Sequence, residues 1–364
     1  MQDVSATNMR ATVEKLASYN TRNTLSANMP EAAEWLRSEF AKLPRIKTEL
    51  MTYTAPKGRR IPEDMEVVQC VATLPGKSDR ILIMGGHMDS LNLQVDAKTG
   101  RAPGANDDAS GVAATLECAR ILSQSEHEHT IIFVGFTGEE QGLIGSRALA
   151  EKAKSEGWKI DGVLNNDTVG SSANLAGQKD EKHVRVFSEE GEDHNSRELA
   201  RFLEWEIRQS GGDFRIKLVL RRDRFGRGGD HTPFVQNGFN AVRFIEVHEE
   251  YTRQHTPDDL PEYMDWNYLA NVARCNLIGL TSLANAGSSP SNVRIKMDQG
   301  HNTTLTWKSN GATTHTIYWR DTRSAVWEGH IDVKGAEEVT IPLINKDDHF
   351  FAVGAEGGVP IEAR

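Results

Sequence analysis

The sequence predicts an α/β domain, a mostly parallel mixed sheet with helices on both faces, followed by a small all-β sandwich. Three observations carry this. Over the first 285 residues, strand-like and helix-like periods alternate. Runs such as "ILIM" at 81–84 and "IIFV" at 131–134 are apolar at every position, as in strands covered on both faces. At "NAGSSPSN", 285–292, the texture becomes small and polar, and only short alternating runs follow.

Taken in order, apolar stripes of helical period run over 5–19 and 30–43, the second opened by Pro30. Strand-like segments follow at 47–54 and 66–74. The alternation then gives strand 80–85, helix 109–122, strand 130–136, helix 143–154 and strand 159–166. After a strand at 182–187 comes a long helix at 196–209, then short strands near 217–220 and 241–246 and a last helix at 264–283. Residues 1–285 thus form the first domain, 286–291 a linker and 292–364 the sandwich. Six strands are expected in the sandwich: 292–297, 303–307, 315–319, 329–333, 338–343 and 350–353, parted by turns such as "SNGAT" and "INKDD".

Composition narrows the function. At 364 residues the chain is too long for one ordinary core and suits two domains. A charged fraction of 26% beside 38% hydrophobic residues is that of a folded chain. A net charge of −10 argues against nucleic acid as a partner, since that binding rests on Lys and Arg neutralising phosphates. No apolar run approaches the roughly 20 residues of a membrane span. The opening "MQDV" lacks the basic-then-apolar start of a signal peptide. Cys70, Cys118 and Cys275 have no metal-type spacing and read as small buried hydrophobes.

The chemistry-bearing residues fall where strands end. His87 follows "ILIMGG", Glu139 and Glu140 follow "TIIFVGF", and Asp167 follows "GVLNN". The carboxyl ends of parallel strands share one edge, so these side chains converge there. Asp107, in "GANDDASG", precedes a helix start, where it either caps the helix or is aimed into the same crevice. His255, in "YTRQHTPDDL", follows the strand "AVRFIE". Each alone has an ordinary reading: a surface histidine, an N-cap, a turn acid, a solvated pair. Together they put several carboxylates on one edge, where their repulsion calls for bound cations. Two histidines supply the nitrogens zinc favours. That chemistry is two metals about 3.5–4 Å apart activating water for hydrolysis.

The motifs "GGHMDS", "PGANDDASGVAATLE", "FTGEEQGLIGS", "NNDTVG" and "HTPDDL", in this order, resemble the co-catalytic di-zinc aminopeptidases. That family includes the secreted bacterial leucine aminopeptidases, glutamate carboxypeptidase II and, more distantly, glutaminyl cyclase. The resemblance spans residues 5–285. It implies two Zn2+ ions, with Co2+ or Mn2+ able to substitute. His87 and Asp167 would bind one ion, Glu140 and His255 the other, and Asp107 would bridge them. Glu139 would be the general base, and Asp89 would stand behind His87 as a carboxylate that fixes its tautomer. The substrates implied are peptides cut at the N-terminus, and the implied location is secreted or periplasmic.

Some relatives place an oxyanion-stabilising tyrosine shortly before an Asp-His pair or just before the last zinc-binding histidine. Here "RFGRGGDH" at 224–231 and Gln254 stand in those places, leaving Arg227 or Tyr251 for the role. Arg222, Arg224 and Arg227 read equally as a solvated loop or a substrate-binding cluster, and Asp230–His231 as a helix cap. "TTLTWKS" and "HTIYWR" resemble a fibronectin type III domain. Three other readings stand beside the aminopeptidase. One is a carboxypeptidase or dipeptidase, its arginines holding a terminal carboxylate. Another is a single-zinc glutaminyl cyclase-like enzyme. The third is an inactive receptor or adhesion scaffold, although such relatives lose ligands that this chain keeps.

Overall fold

Two helices precede the first strand in the computed structural model, which describes residues 4–58, 60–298 and 300–364. Helix α1, Ala6–Ser18, starts where the Ser5 side chain accepts a hydrogen bond from the Asn8 N–H. Helix α2 is Asn28–Ala41, with Pro30 inside its first turn. Strands β1 (Lys47–Ala55) and β2 (Met65–Leu74) form an antiparallel hairpin. The alternation then runs β3 (Arg80–His87), α3 (Ser110–Leu122), β4 (Thr130–Phe136), α4 (Ile144–Ser155), β5 (Lys159–Asn166) and β6 (His183–Phe187). It closes with α5 (Ser196–Gln209), β7 (Arg215–Val219), α6 (His231–Gln236), β8 (Ala241–Glu246) and α7 (Trp266–Ala284).

These strands make one eight-stranded sheet in the order β1-β2-β4-β3-β5-β8-β6-β7. The pairs β3/β4, β3/β5, β5/β8 and β6/β7 are parallel, whereas β1/β2, β2/β4 and β6/β8 are antiparallel. Alternate side chains feed opposite faces. Leu82, Met84, Ile131 and Phe133 pack with α1, α2, α3, α5 and α7, while Ile83, Ile132, Val134 and Phe136 pack under α4 and α6. Both faces are therefore dry, which is why these strands read as unbroken apolar runs. The three cysteines are free and buried.

The tail forms two antiparallel sheets. One joins β9 (Ser291–Ile295), β10 (Thr303–Lys308) and β13 (Glu338–Ile341). The other joins β11 (Thr314–Asp321), β12 (Gly329–Lys334), β14 (His349–Ala355) and β15 (Ile361–Glu362). Val293, Leu305, Trp307, Ile317, Phe351 and Val353 fill the space between them. The six expected strands are present with ends shifted by a residue or two; β9 begins at Ser291, inside the segment expected as linker, and β15 is an additional strand too short to show an alternation. The tail sits on α5. Trp205 meets Tyr318 edge-on with centroids 5.5 Å apart, and Arg201 Nε donates to the Ala325 carbonyl at 3.0 Å.

Candidate metal centre

The connection that leaves β3 runs to β4 on one side, whereas the one that leaves β5 runs to β6 on the other, so the chain diverges between β3 and β5 and opens a crevice at the carboxyl edge. His87 is the last residue of β3, rather than the first of the loop after it. Its Nδ1 lies 2.9 Å from the Asp89 carbonyl oxygen, which can only accept. In the neutral ring Nδ1 therefore carries the proton, and Nε2 is left facing the crevice.

Asp107 comes from a kinked turn, Ala105–Ala109, entered through Gly104 at φ 52°. A Cβ on Gly104 would lie 2.5 Å from the Asp107 carbonyl oxygen, so the turn requires glycine. Gly111 has a similar reason: a Cβ there would meet the Asn166 carbonyl oxygen at 2.3 Å, where α3 starts against the end of β5. Two backbone N–H groups, of Asn106 and Asp107, donate to the buried Asp259 carboxylate, each at 2.9 Å.

The result is a carboxylate divided between two imidazoles. Asp107 Oδ1 lies 3.0 Å from His87 Nε2, and Asp107 Oδ2 lies 3.1 Å from His255 Nε2. Glu140 Oε1 is 3.0 Å from the same nitrogen of His255, and Asp167 Oδ1 is 3.9 Å from His87 Nε2. The fold thus brings together all five residues singled out as ligands. Glu139 is half-buried beside them, and ligand atoms of His87, Glu139 and Glu140 lie within 4.8 Å of one another.

Asp108 also has oxygens close to His87 and Asp167, but they are already occupied. They accept from the His87 N–H at 3.0 Å, the Gly111 N–H at 2.9 Å, the Thr168 N–H at 3.1 Å and the Ser110 hydroxyl at 3.2 Å. Asp108 is the brace that sets β3, α3 and the end of β5 in register around the crevice.

The electrostatics follow from crowding. Burial alone would lower the His255 pKa, but Asp107 and Glu140 overcome it and push it up to about 11. His87 is raised in the same way, against burial, by Asp107, Glu139 and the other acids. Burial raises Glu139 and Glu140, and neighbouring carboxylates add to the rise. Such a set of imidazole nitrogens and carboxylate oxygens suits zinc, and a cation removes the repulsion among the acids.

Several expectations need correction. The Asp89 carboxylate does not hold the His87 ring; its nearest oxygen is 3.7 Å from Nδ1. It accepts instead from the N–H groups of Gly138 (2.9 Å), Glu139 (3.2 Å) and Glu140 (3.1 Å), fixing the loop that carries both glutamates. Asp230 stands at the start of α6 but its side chain makes no cap hydrogen bond, because it is turned into the interior. Arg224 is not a solvated residue: it pairs with Asp223 at 3.0 Å and with Glu249. Arg227 lies over the Tyr251 ring at 5.0 Å, and Tyr251 is 54% exposed. Among the described residues Arg227 reaches the centre through Gln254, whose amide donates to Asp107 Oδ2 at 2.7 Å.

Arg243 was not singled out from the sequence. It is 1% exposed and its guanidinium lies 2.8 Å from Asp167 Oδ2 and 2.9 Å from Asp223 Oδ2. The signal was present: a lone arginine within "AVRFIE", an otherwise strand-like run whose positions are all buried. Asp259 stood in the quoted "HTPDDL" as well, but its partner is 152 residues away.

An α/β sheet that gathers two imidazoles around a shared carboxylate at its carboxyl edge is the architecture of a zinc metallopeptidase, and the comparisons agree. The model of peptidase family M28 matches residues 69–278, and the chain belongs to that family. A probable zinc metalloprotease of Leptosphaeria maculans is 35% identical, over 98% of this chain and 93% of the relative. Among solved structures, the LapA aminopeptidase of Legionella pneumophila superposes with a TM-score of 0.60 at 21% identity, covering 76% of this chain and 71% of LapA. A glutaminyl cyclase from Fimbriiglobus ruber reaches 0.59 at 19% identity, covering 76% of this chain and 94% of that one. At these identities the two structures establish the fold alone.

Proposed function

We propose that the chain is a di-zinc aminopeptidase that removes N-terminal residues from peptides. The observation that carries this reading is the division of Asp107 between His87 and His255, each histidine having a second carboxylate of its own. His87 and Asp167 would hold one ion, Glu140 and His255 the other, and Asp107 both. Bound zinc supplies Lewis acidity, which polarises a carbonyl and acidifies water. The acid-rich centre suits a substrate that arrives with a free α-ammonium group, and the likeness to LapA supports the same choice. Glu139 takes a proton from the attacking water and returns it to the leaving amine. Burial, followed by the neighbouring carboxylates, raises its affinity for a proton, and a bound cation would offset that rise and leave it free to accept one. Asp89 keeps Glu139 and Glu140 on one rigid loop, so that the base and the ligand point to different tasks.

Paired substitutions test this. Glu139→Gln is expected to keep two zinc per chain by elemental analysis and to lose a factor of about 10²–10⁴ or more in turnover of leucinamide. Glu140→Gln is expected to lose zinc first and to regain part of its activity when zinc is added. The reverse pattern would exchange the two roles. Hydrolysis of N-acetyl-leucinamide in preference to leucinamide would refute the aminopeptidase reading.

A further inference from the structure

Between β1 and β2 the chain does more than turn a hairpin. Ile61 is buried at 1% exposure, and its carbonyl oxygen accepts the Gly58 N–H at 2.8 Å. The Lys57 N–H donates to Asp64 Oδ1 at 2.7 Å, which closes the base of the loop. This anchoring projects Arg60 across the sheet edge, where its guanidinium donates to the Glu140 carbonyl oxygen. Arg60 thereby forms one wall of an open cleft whose other lining residues include Glu139, Glu140, Gln141, Gly226 and Gly228. Among the described lining residues Arg60 is the one cation. It makes no ion pair with any described carboxylate, in contrast to Arg224, Arg227 and Arg243.

A guanidinium has five N–H donors, and the carbonyl contact orients it while leaving the rest of the fork free. A planar fork of this kind, fixed at one edge and unpaired at the other, matches a carboxylate. Its location says which carboxylate. The proton carrier must touch the leaving amine, so on the proposed reaction the leaving residue lies in the cleft that holds Glu139. The α-carboxyl of that residue, or its side chain, then extends from Glu139 towards Arg60. The space beside Gly226 on the far side of the cleft is open.

We propose that Arg60 is a specificity-determining residue that binds a carboxylate carried by the leaving residue, favouring substrates with an anionic group one position beyond the scissile bond. This rests on the aminopeptidase reading for its placement of the leaving group. The carboxylate comes either from the C-terminus of a dipeptide or from an aspartate or glutamate side chain.

The test compares four substrates of the holoenzyme: Leu-Ala, Leu-Ala-amide, Leu-Asp-amide and Leu-Asn-amide. For the wild type, kcat/KM is expected to be roughly 5–10-fold higher for the charged member of at least one pair, as for a charge-assisted hydrogen bond open to solvent. A preference in the first pair assigns the terminal carboxylate, and one in the second pair the acidic side chain. Arg60→Ala should bring the ratio close to one, chiefly by raising KM for the charged substrate, and Arg60→Lys should retain part of it. Zinc content is measured alongside, since Arg60 also touches the Glu140 backbone. Equal ratios in wild type and Arg60→Ala would overturn the assignment. If leucyl substrates are not cut at all, the aminopeptidase reading has failed. The Arg60 contact is then read from binding of alanine against alaninamide by saturation-transfer NMR, where absence of an Arg60-dependent preference for alanine overturns it.

Discussion

Replacing Asp89 by asparagine separates two roles that its position had merged. The Asp89 carbonyl, which accepts from His87 Nδ1, is untouched by the change. The carboxylate is 0% exposed; Oδ1 accepts from Gly138 and Glu139, and Oδ2 from Glu140 at 3.1 Å and from the Thr24 hydroxyl at 3.4 Å. An asparagine keeps one oxygen, and two donors favour keeping it on the Gly138–Glu139 side. Its NH2 then faces the Glu140 N–H, donor against donor. A hydrogen bond to a charged group contributes about 1.5–3 kcal/mol, and the stranded N–H adds a desolvation cost of about 1–3 kcal/mol. The Thr24 hydroxyl can rotate to accept, so it is not counted. A penalty of about 2.5–6 kcal/mol therefore falls on the peptide that carries Glu140. Part of it should appear as weaker zinc binding, on the order of 10–100-fold, as for other residues that orient a ligand. Competition with a chromophoric chelator measures this directly, with thermal melting as the control for global stability. Wild-type zinc affinity together with a wild-type melting temperature would refute the reasoning, because it would mean that the loop does not need the carboxylate.

Two further outcomes are expected away from the centre. Burial pushes the Glu198 carboxyl from its ordinary 4.5 up to about 7, although Arg201 pulls it down. The folded chain then holds that proton more tightly than the unfolded one, so the linked stability is greatest at low pH and falls as pH rises from 4.5 through about 7. Glu198→Gln should flatten the change in melting temperature between pH 5 and pH 8, and an unaltered slope would count against the buried, protonated carboxyl. Trp205 is 5% exposed between Tyr318 and His330, with centroid distances of 5.5 and 4.9 Å. Trp205→Ala should cost about 3–5 kcal/mol and lower the unfolding midpoint of the tail, followed by calorimetry. A shift of less than a degree would mean that the tail does not depend on α5.

The strand-end residues were legible because a parallel sheet delivers its carboxyl ends to one edge whatever the rest of the chain does. His87, Glu139, Glu140 and Asp167 needed only strand boundaries to be placed near one another. The supporting shell was less legible, for a physical reason. Asp108 braces backbone N–H groups from three separate elements, and Asp259 receives the N–H of a residue 152 positions away. Such contacts have no local periodicity to betray them. Asp89 was placed correctly beside the histidine but misread in detail, since a sequence does not say whether a backbone carbonyl or a side-chain oxygen will face a ring nitrogen. Arg60 lies in a connection whose path over the sheet edge depends on burying Ile61. Arg243 is the case where more could have been read: a cation inside a buried strand must have an anion waiting for it.

That arginine also makes the two halves of the centre unequal. Asp167 shares its charge with a guanidinium whose pKa is raised by the acids around it and which stays protonated at every pH the protein meets. Glu140 Oε1, by contrast, is buried with no hydrogen-bond partner among the described residues apart from its approach to the His255 imidazole. Part of the negative charge on the His87 side is spent internally, while that on the His255 side is available to an incoming ion. On the di-zinc reading proposed above, the Glu140 side would be the tighter seat and the Asp167 side the looser one. A half-loaded form with the Glu140 side filled would then precede the fully loaded one when metal is scarce, and activity followed against zinc concentration would rise in two stages rather than one.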